Sequence, residues 1–358
     1  MYSSMYCQSI SEGVSEKMCQ QQYDLFVGCY GAKTDETIHW LNFDARYGKL
    51  RIINSFKGIE NPSFLTVNKK KSHLYAISEK TNGEVVSFQW CERLGTLKEV
   101  KRQPTNGGPC YLEHDEHALF TANYGNGSVI VHSLKETGEI GNEIDFYQTN
   151  SPQQSDSIVH AIRNIPNTPY YLATDLGLNK LNFFKHNHST GELTFLFDEQ
   201  VPDGSGPRHV AFHPTLRVFY IVNEFNSTVL TYMYDENLQQ MELLQTLPTI
   251  YDNFQHANYG ADIHITRSGK FVYTSNRGHD SITAYKVLND GTLAFISHTK
   301  TEGQWPRNFI IMPNDIYVLV ANEQSNNIMV FEILEDGSLQ RTGHRFHVNR
   351  PVCLHVIE

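Results

Sequence analysis

Six ionisable residues occupy two equivalent kinds of position along this chain. His160, Arg208 and Arg307 stand where an apolar run begins, and Glu224, Arg277 and Glu323 follow directly on the end of the next apolar run. Three arginines, two glutamates and a histidine around one concave surface can hold an anion and move a proton. The alternative for each is an ion pair that ties neighbouring elements together. Which applies depends on whether the chain brings these positions to one place.

The elements that would do so repeat. The stretches "NPSFLTVNKKKSHLYAISEKTNGEVVSFQW", "GPRHVAFHPTLRVFYIVNEFNSTVLTYMY", "GADIHITRSGKFVYTSNRGHDSITAYKV" and "WPRNFIIMPNDIYVLVANEQSNNIMVFEI" share one pattern of three strands. A glycine turn and a fourth strand follow, as in "NDGTLAFISHTKT" and "EDGSLQRTGHRF". Four antiparallel strands repeated about every fifty residues make a propeller blade. First strands are expected near Pro62, Pro109, His160, Pro207, Ala261, Pro306 and Pro351. The last unit is split between "RPVCLHVIE" and residues 23–56, and pairing these pieces removes two exposed sheet edges. The expectation is an all-β, seven-bladed β-propeller over residues 23–358, its ring closed by N- and C-terminal strands sharing one blade, after a disordered leader at 1–22.

In a blade the first strand lines the channel and the second returns beside it, so the start of one and the end of the other share a face. Second strands are expected to end at Ser78, Asn123, Asp175, Asn223, Asn276 and Asn322. This alignment puts the six ionisable residues around one channel mouth, in blades three to six. The long connection "TLPTIYDNFQHANYGAD" (246–262) falls on the same mouth, as a lid or as an ordered rim loop packing Tyr251 and Phe254. "EHDEH" at 113–117 falls in a turn on the opposite face and "HNH" at 186–188 in a hairpin; both read as solvated turns, and no metal is expected. Trp90 and Trp305 read as packing between blades.

The formal net charge of −10 and a pI near 5.9 disfavour nucleic acid and anionic membranes as partners, and "KKK" at 69–71 is the longest basic run. Six cysteines lack any CxxC or disulfide spacing, consistent with a reducing cytoplasm. No apolar stretch reaches the roughly 18–20 residues of a membrane helix. No Gly-rich phosphate loop, GxSxG elbow or zinc signature is present, and no cofactor is expected.

The motifs "GSGPRHVAFHP", "YLATDLGLNKLNFF", "GADIHITRSGKFVYTSNRGHDSI" and "LVANEQSNNIMVFEI" resemble the lactonase family of seven-bladed propellers, which includes propeller-type 6-phosphogluconolactonases and fungal carboxy-muconate cycloisomerases. The resemblance covers residues 23–358 and is strongest from 155 onward. It implies hydrolysis of a small anionic sugar lactone, most specifically 6-phosphogluconolactone; a lactonising cycloisomerase and a non-catalytic binding propeller are the alternatives. It implies catalytic roles for His160, Arg208, Glu224 and Arg277, with Ile158 where the family often has an earlier histidine. Arg307, Glu323, His209 and His279 are then candidates for substrate contacts. In this scheme Glu224 is the general base, His160 and Arg208 face the oxyanion, and Arg277, with Arg307, holds the phosphate.

Overall fold

The computed structural model describes residues 21–149, 156–251 and 253–358. They form seven four-stranded antiparallel sheets arranged as the blades of a propeller. The channel-lining strands are Leu65–Val67, Pro109–His114, Val159–Asn164, Pro207–Phe212, Tyr259–Ile265, Pro306–Ile311 and Pro351–Val356. The last of these pairs antiparallel with Gln22–Cys29, which continues into Ile38–Asp44 and Lys49–Phe56, so the two ends of the chain close the ring within one blade. Gln21 and Gln22 of the expected leader are described, Gln22 already as a strand residue; residues 1–20 lie outside the described residues.

Burial follows position within the blade. Second strands such as His73–Ser78, Ala118–Asn123 and Val218–Asn223 are buried at every residue, because neighbouring blades cover both faces. Outer strands such as Leu193–Gln200 are largely exposed. The core consequently lies between blades: Leu172 and Phe183 of blade three pack with Val210, Phe219 and Ile221 of blade four. Each such side chain contributes about 1.5–3 kcal/mol when buried. Trp90 joins the closing blade to blade one, edge-on to Trp40 at 5.5 Å and to Phe26 at 5.3 Å.

The innermost strand of blade one starts at Leu65 rather than near Pro62. The Ser63 N–H is taken by the Asn61 carbonyl at 2.8 Å, so the chain turns before it pairs. Second strands end at Ser78, Asn123, Asp175, Asn223 and Asn322, and blade five runs one residue further, to Arg277. Among the described residues Cys29, Cys91, Cys110 and Cys353 are free thiols, and no helix is long and apolar enough to cross a membrane.

Candidate active site at one channel mouth

A backbone irregularity sets the side chains of this mouth. In blades two, three, four and six the first strand slips register near its start, so that Cys110, His160, Arg208 and Arg307 have no residue opposite them on the second strand. Such bulges bend a strand and re-aim a side chain. Bulges in neighbouring blades are coupled: the Thr174 hydroxyl accepts the Ala161 N–H at 3.1 Å and donates to the Arg208 carbonyl at 2.7 Å. Before Arg208, Gly206 adopts φ +64°, and a Cβ there would strike the Phe225 ring. The Gly206 carbonyl accepts the Glu224 N–H at 2.8 Å, which fixes the glutamate beside the bulge.

Glu224 is the centre of the cluster. Its Oε2 accepts Arg208 Nε at 2.9 Å and lies 2.9 Å from the Arg277 terminal nitrogen, so both cations converge on one oxygen. Burial opposes the charge on Glu224, but Arg277 and Arg208 outweigh it and hold the carboxyl below its ordinary value. Arg208 is 2% exposed and its guanidinium is committed to protein: besides Glu224 it donates to the Ala261 carbonyl and lies 3.3 Å from His209 Nε2. Arg277 also donates to the Gly260 carbonyl and stacks against Trp305 and Tyr259, while its Nε is buried without a protein partner. Burial, then the charge of Arg208, lowers the Arg277 pKa to about 10.

His160 is buried edge-on between Tyr124 and His209, with ring centroids 5.8 and 5.1 Å away. Its Nδ1 has no protein partner. Burial and the neighbouring Arg208 push its pKa well below the ordinary value, so the ring is neutral at neutral pH. His209 is likewise lowered, by burial and Arg208, to about 4, and its Nδ1 meets the buried Asp262 carboxylate at 2.7 Å.

The other candidates separate. Arg307 reaches Glu79 of blade one at 3.2 Å and covers the Tyr30 ring, whose hydroxyl donates to the same Glu79 oxygen at 2.9 Å. Glu323 pairs with Arg350 at 2.7 Å. His279 lies under the 249–258 connection, against Tyr251, Phe254, His298 and the Ser281 hydroxyl, and not with the Glu224 group. Sequence reasoning passed over Glu79, although it holds the same aligned position as Glu224 and Glu323. It also passed over Tyr30 and Tyr259. Trp305, expected as blade packing, is a wall against Arg277. A cavity of about 590 Å³ opens on the opposite mouth, lined by Tyr111, Arg163, Asp262 and His264 among others. Of the eight candidates only His209 lines that cavity, so the charged cluster and this cavity lie on opposite sides of His209.

The chain matches the family described as "Lactonase, 7-bladed beta-propeller" over residues 24–356. It is 32% identical over 344 residues to the 6-phosphogluconolactonase of Bacillus subtilis (strain 168), spanning 93% of this chain and 98% of that protein. Identity is also 32%, over 345 residues, to the 6-phosphogluconolactonase of Formosa agariphila, with 91% and 97% covered. Among solved structures, the periplasmic gluconolactonase of Pseudomonas aeruginosa aligns with a TM-score of 0.87 and 27% identity, over 94% of this chain and 99% of that one.

Proposed function

Since the chain belongs to the lactonase family of seven-bladed β-propellers, we propose that the Arg208–Glu224–Arg277–His160 mouth is its hydrolytic site and that 6-phosphogluconolactone is the substrate. The observation that carries this reading is the asymmetry of Glu224. Both arginines occupy Oε2, which leaves Oε1 for a water, and the side chain is 14% exposed, more than Arg208 or Arg277. A carboxylate that stays ionised at neutral pH can take the proton of that water as its oxygen attacks the lactone carbonyl carbon. His160, neutral and with an unpartnered ring nitrogen, donates to the carbonyl oxygen as it becomes an oxyanion. Collapse of the tetrahedral intermediate breaks the ring C–O bond, and the proton held by Glu224 goes to the departing hydroxyl.

The sequence scheme placed Arg208 at the oxyanion; its engaged guanidinium favours a positioning role instead, holding Glu224 ionised and oriented. Arg277, whose Nε–H is uncommitted, and Arg307 supply the positive field for the substrate phosphate. The free cysteines support a reducing compartment, here the cytoplasm. The test is acid release from freshly prepared 6-phosphogluconolactone by the purified protein, with spontaneous hydrolysis subtracted. A rate no greater than background, with gluconolactone or a carboxylated muconate turned over instead, would reject the substrate assignment.

A further inference from the structure

On the opposite face from the lactonase residues, the two histidine-bearing turns that read as solvated come together. Asp115 lies in the turn between the first two strands of blade two. His186 ends the third strand of blade three, and His188 is two residues on in the following turn, with the two ring centroids 4.6 Å apart. Asp115 Oδ2 is 3.2 Å from His186 Nδ1 and 3.3 Å from His188 Nδ1, and the three donor atoms lie within 4.8 Å of one another. His186 is 2% exposed; its Nδ1 faces the buried Asp115 Oδ2 without hydrogen-bond alignment, and its Nε2 is buried without a partner. A buried, poorly aligned Nδ1–Oδ2 contact costs free energy that an ion ligated by both atoms would offset.

The separations decide what fits. Donors bound at about 2.0–2.1 Å to a tetrahedral ion are about 3.3 Å apart along each edge, close to the two measured N–O separations. Two imidazoles and one carboxylate are the ligand chemistry of zinc and its first-row neighbours, not of calcium or magnesium. The carboxylate is preset, because its other oxygen, Oδ1, accepts backbone N–H groups of its own turn, His117 at 2.7 Å among them. The buried ring is preset by Phe120 and Tyr171, edge-on at 4.9 and 5.5 Å. His188 is exposed and completes the set from the solvent side.

We infer that Asp115, His186 and His188 form a binding site for a zinc-class divalent transition ion, with solvent in the remaining position, that clips blade two to blade three. The ion plays no part in lactone hydrolysis, which this inference leaves at the other mouth. The experiment is calorimetric titration of the chelator-treated full chain with Zn²⁺, repeated on H188A and D115N. His188 is exposed, and the asparagine retains an oxygen for the turn, so both variants keep the fold. The expected result is one saturable zinc equivalent in the parent, weakened at least tenfold in each variant, with Co²⁺ giving the intense visible bands of a tetrahedral site in the parent and losing them in H188A. Lactone turnover by H188A stays at the parent rate. No saturable zinc equivalent in the parent, or binding that both variants leave unchanged, overturns the site.

Discussion

Arg208 and Glu224, 16 positions apart in sequence, meet Nε to Oε2 at 2.9 Å. The pairing is a product of strand register. Pro207 lies opposite Asn223, Arg208 bulges out of the ladder, and Glu224 is the first residue beyond the second strand. With Arg277 arriving on the same oxygen from the next blade, one carboxylate offsets two buried guanidiniums. The inter-blade pair and the proposed catalytic group are therefore one arrangement, and changes to Glu224 are expected to have two consequences.

Glu224→Gln removes the proton acceptor and leaves two buried cations without their counter-charge. Turnover should fall by about 10²–10⁴-fold, the range of a lost general base. The structure implies a cost of about 3–5 kcal/mol from the unpaired arginines. Steady-state kinetics at a temperature where circular dichroism shows the variant folded separate the two effects. Parent-level kcat in that variant would reduce Glu224 to a structural ion pair.

The pH response follows from the sign of each shift. Glu224 is held below its ordinary value of 4.5, so kcat should stay flat from neutrality to about pH 5 and fall only as the carboxylate protonates below that value. His160 and His209 act differently: both are buried neutral, so the unfolded chain takes up their protons first. Their contribution to stability is complete above about 6.5 and declines as pH falls, for His209 down to about 4. Melting temperature measured from pH 7 to 4 should drop across that window, with a shallower slope in His209→Asn. A flat profile would mean that these rings take up protons in the fold as readily as in the unfolded chain.

Much of this was legible before any coordinates. Strand alternation and glycine turns repeat in every blade, so blade number, ring closure and second-strand ends could be counted, and the alignment isolated Glu224 and Arg277. What could not be read was side-chain direction. A one-residue bulge is silent in sequence, yet it decides that Arg208 points at Glu224 and Arg307 at Glu79. Contacts between turns of different blades are equally silent: nothing local to "EHDEH" or "HNH" says that Asp115 and His186 meet. His279 is a substrate-contact candidate in the sequence, but the chain turns at Gly278, with φ +108°, and sends its side chain away from that of Arg277.

Arg277→Lys retains a charge for Glu224 but loses the uncommitted Nε–H and the planar stacking on Trp305. Loss of one charge-assisted hydrogen bond, roughly 1.5 kcal/mol, should raise KM for 6-phosphogluconolactone about tenfold with a smaller change in kcat. Gluconolactone, which has no phosphate, should show little change in KM. Equal losses on both lactones would remove the phosphate role and leave Arg277 as a partner of Glu224 alone.

The connection from Thr249 to Asn258 is where a lid and a fixed rim make opposite predictions. Its ends are tied down: Thr249 donates to Ser227 and Asn276 at 2.8 and 2.7 Å, and the Asn258 amide joins Ser227 and the His279 backbone at 2.8 and 3.0 Å. Between them Tyr251 and Phe254 close edge-on around His279, at 4.5 and 4.9 Å, so the aromatic residues pack on blade five rather than over Glu224. We therefore expect a rim. The double variant Y251A/F254A should lower the melting temperature by a few degrees, as a loss of about 1–2 kcal/mol would, while kcat on the lactone stays within about twofold of the parent. Amides of residues 253–258 should exchange hydrogen at the same rate with and without 6-phosphogluconate, because a rim already in place gains no protection from ligand. A lid would reverse both readouts: turnover lost at unchanged melting temperature, and protection of 253–258 that appears only with ligand bound.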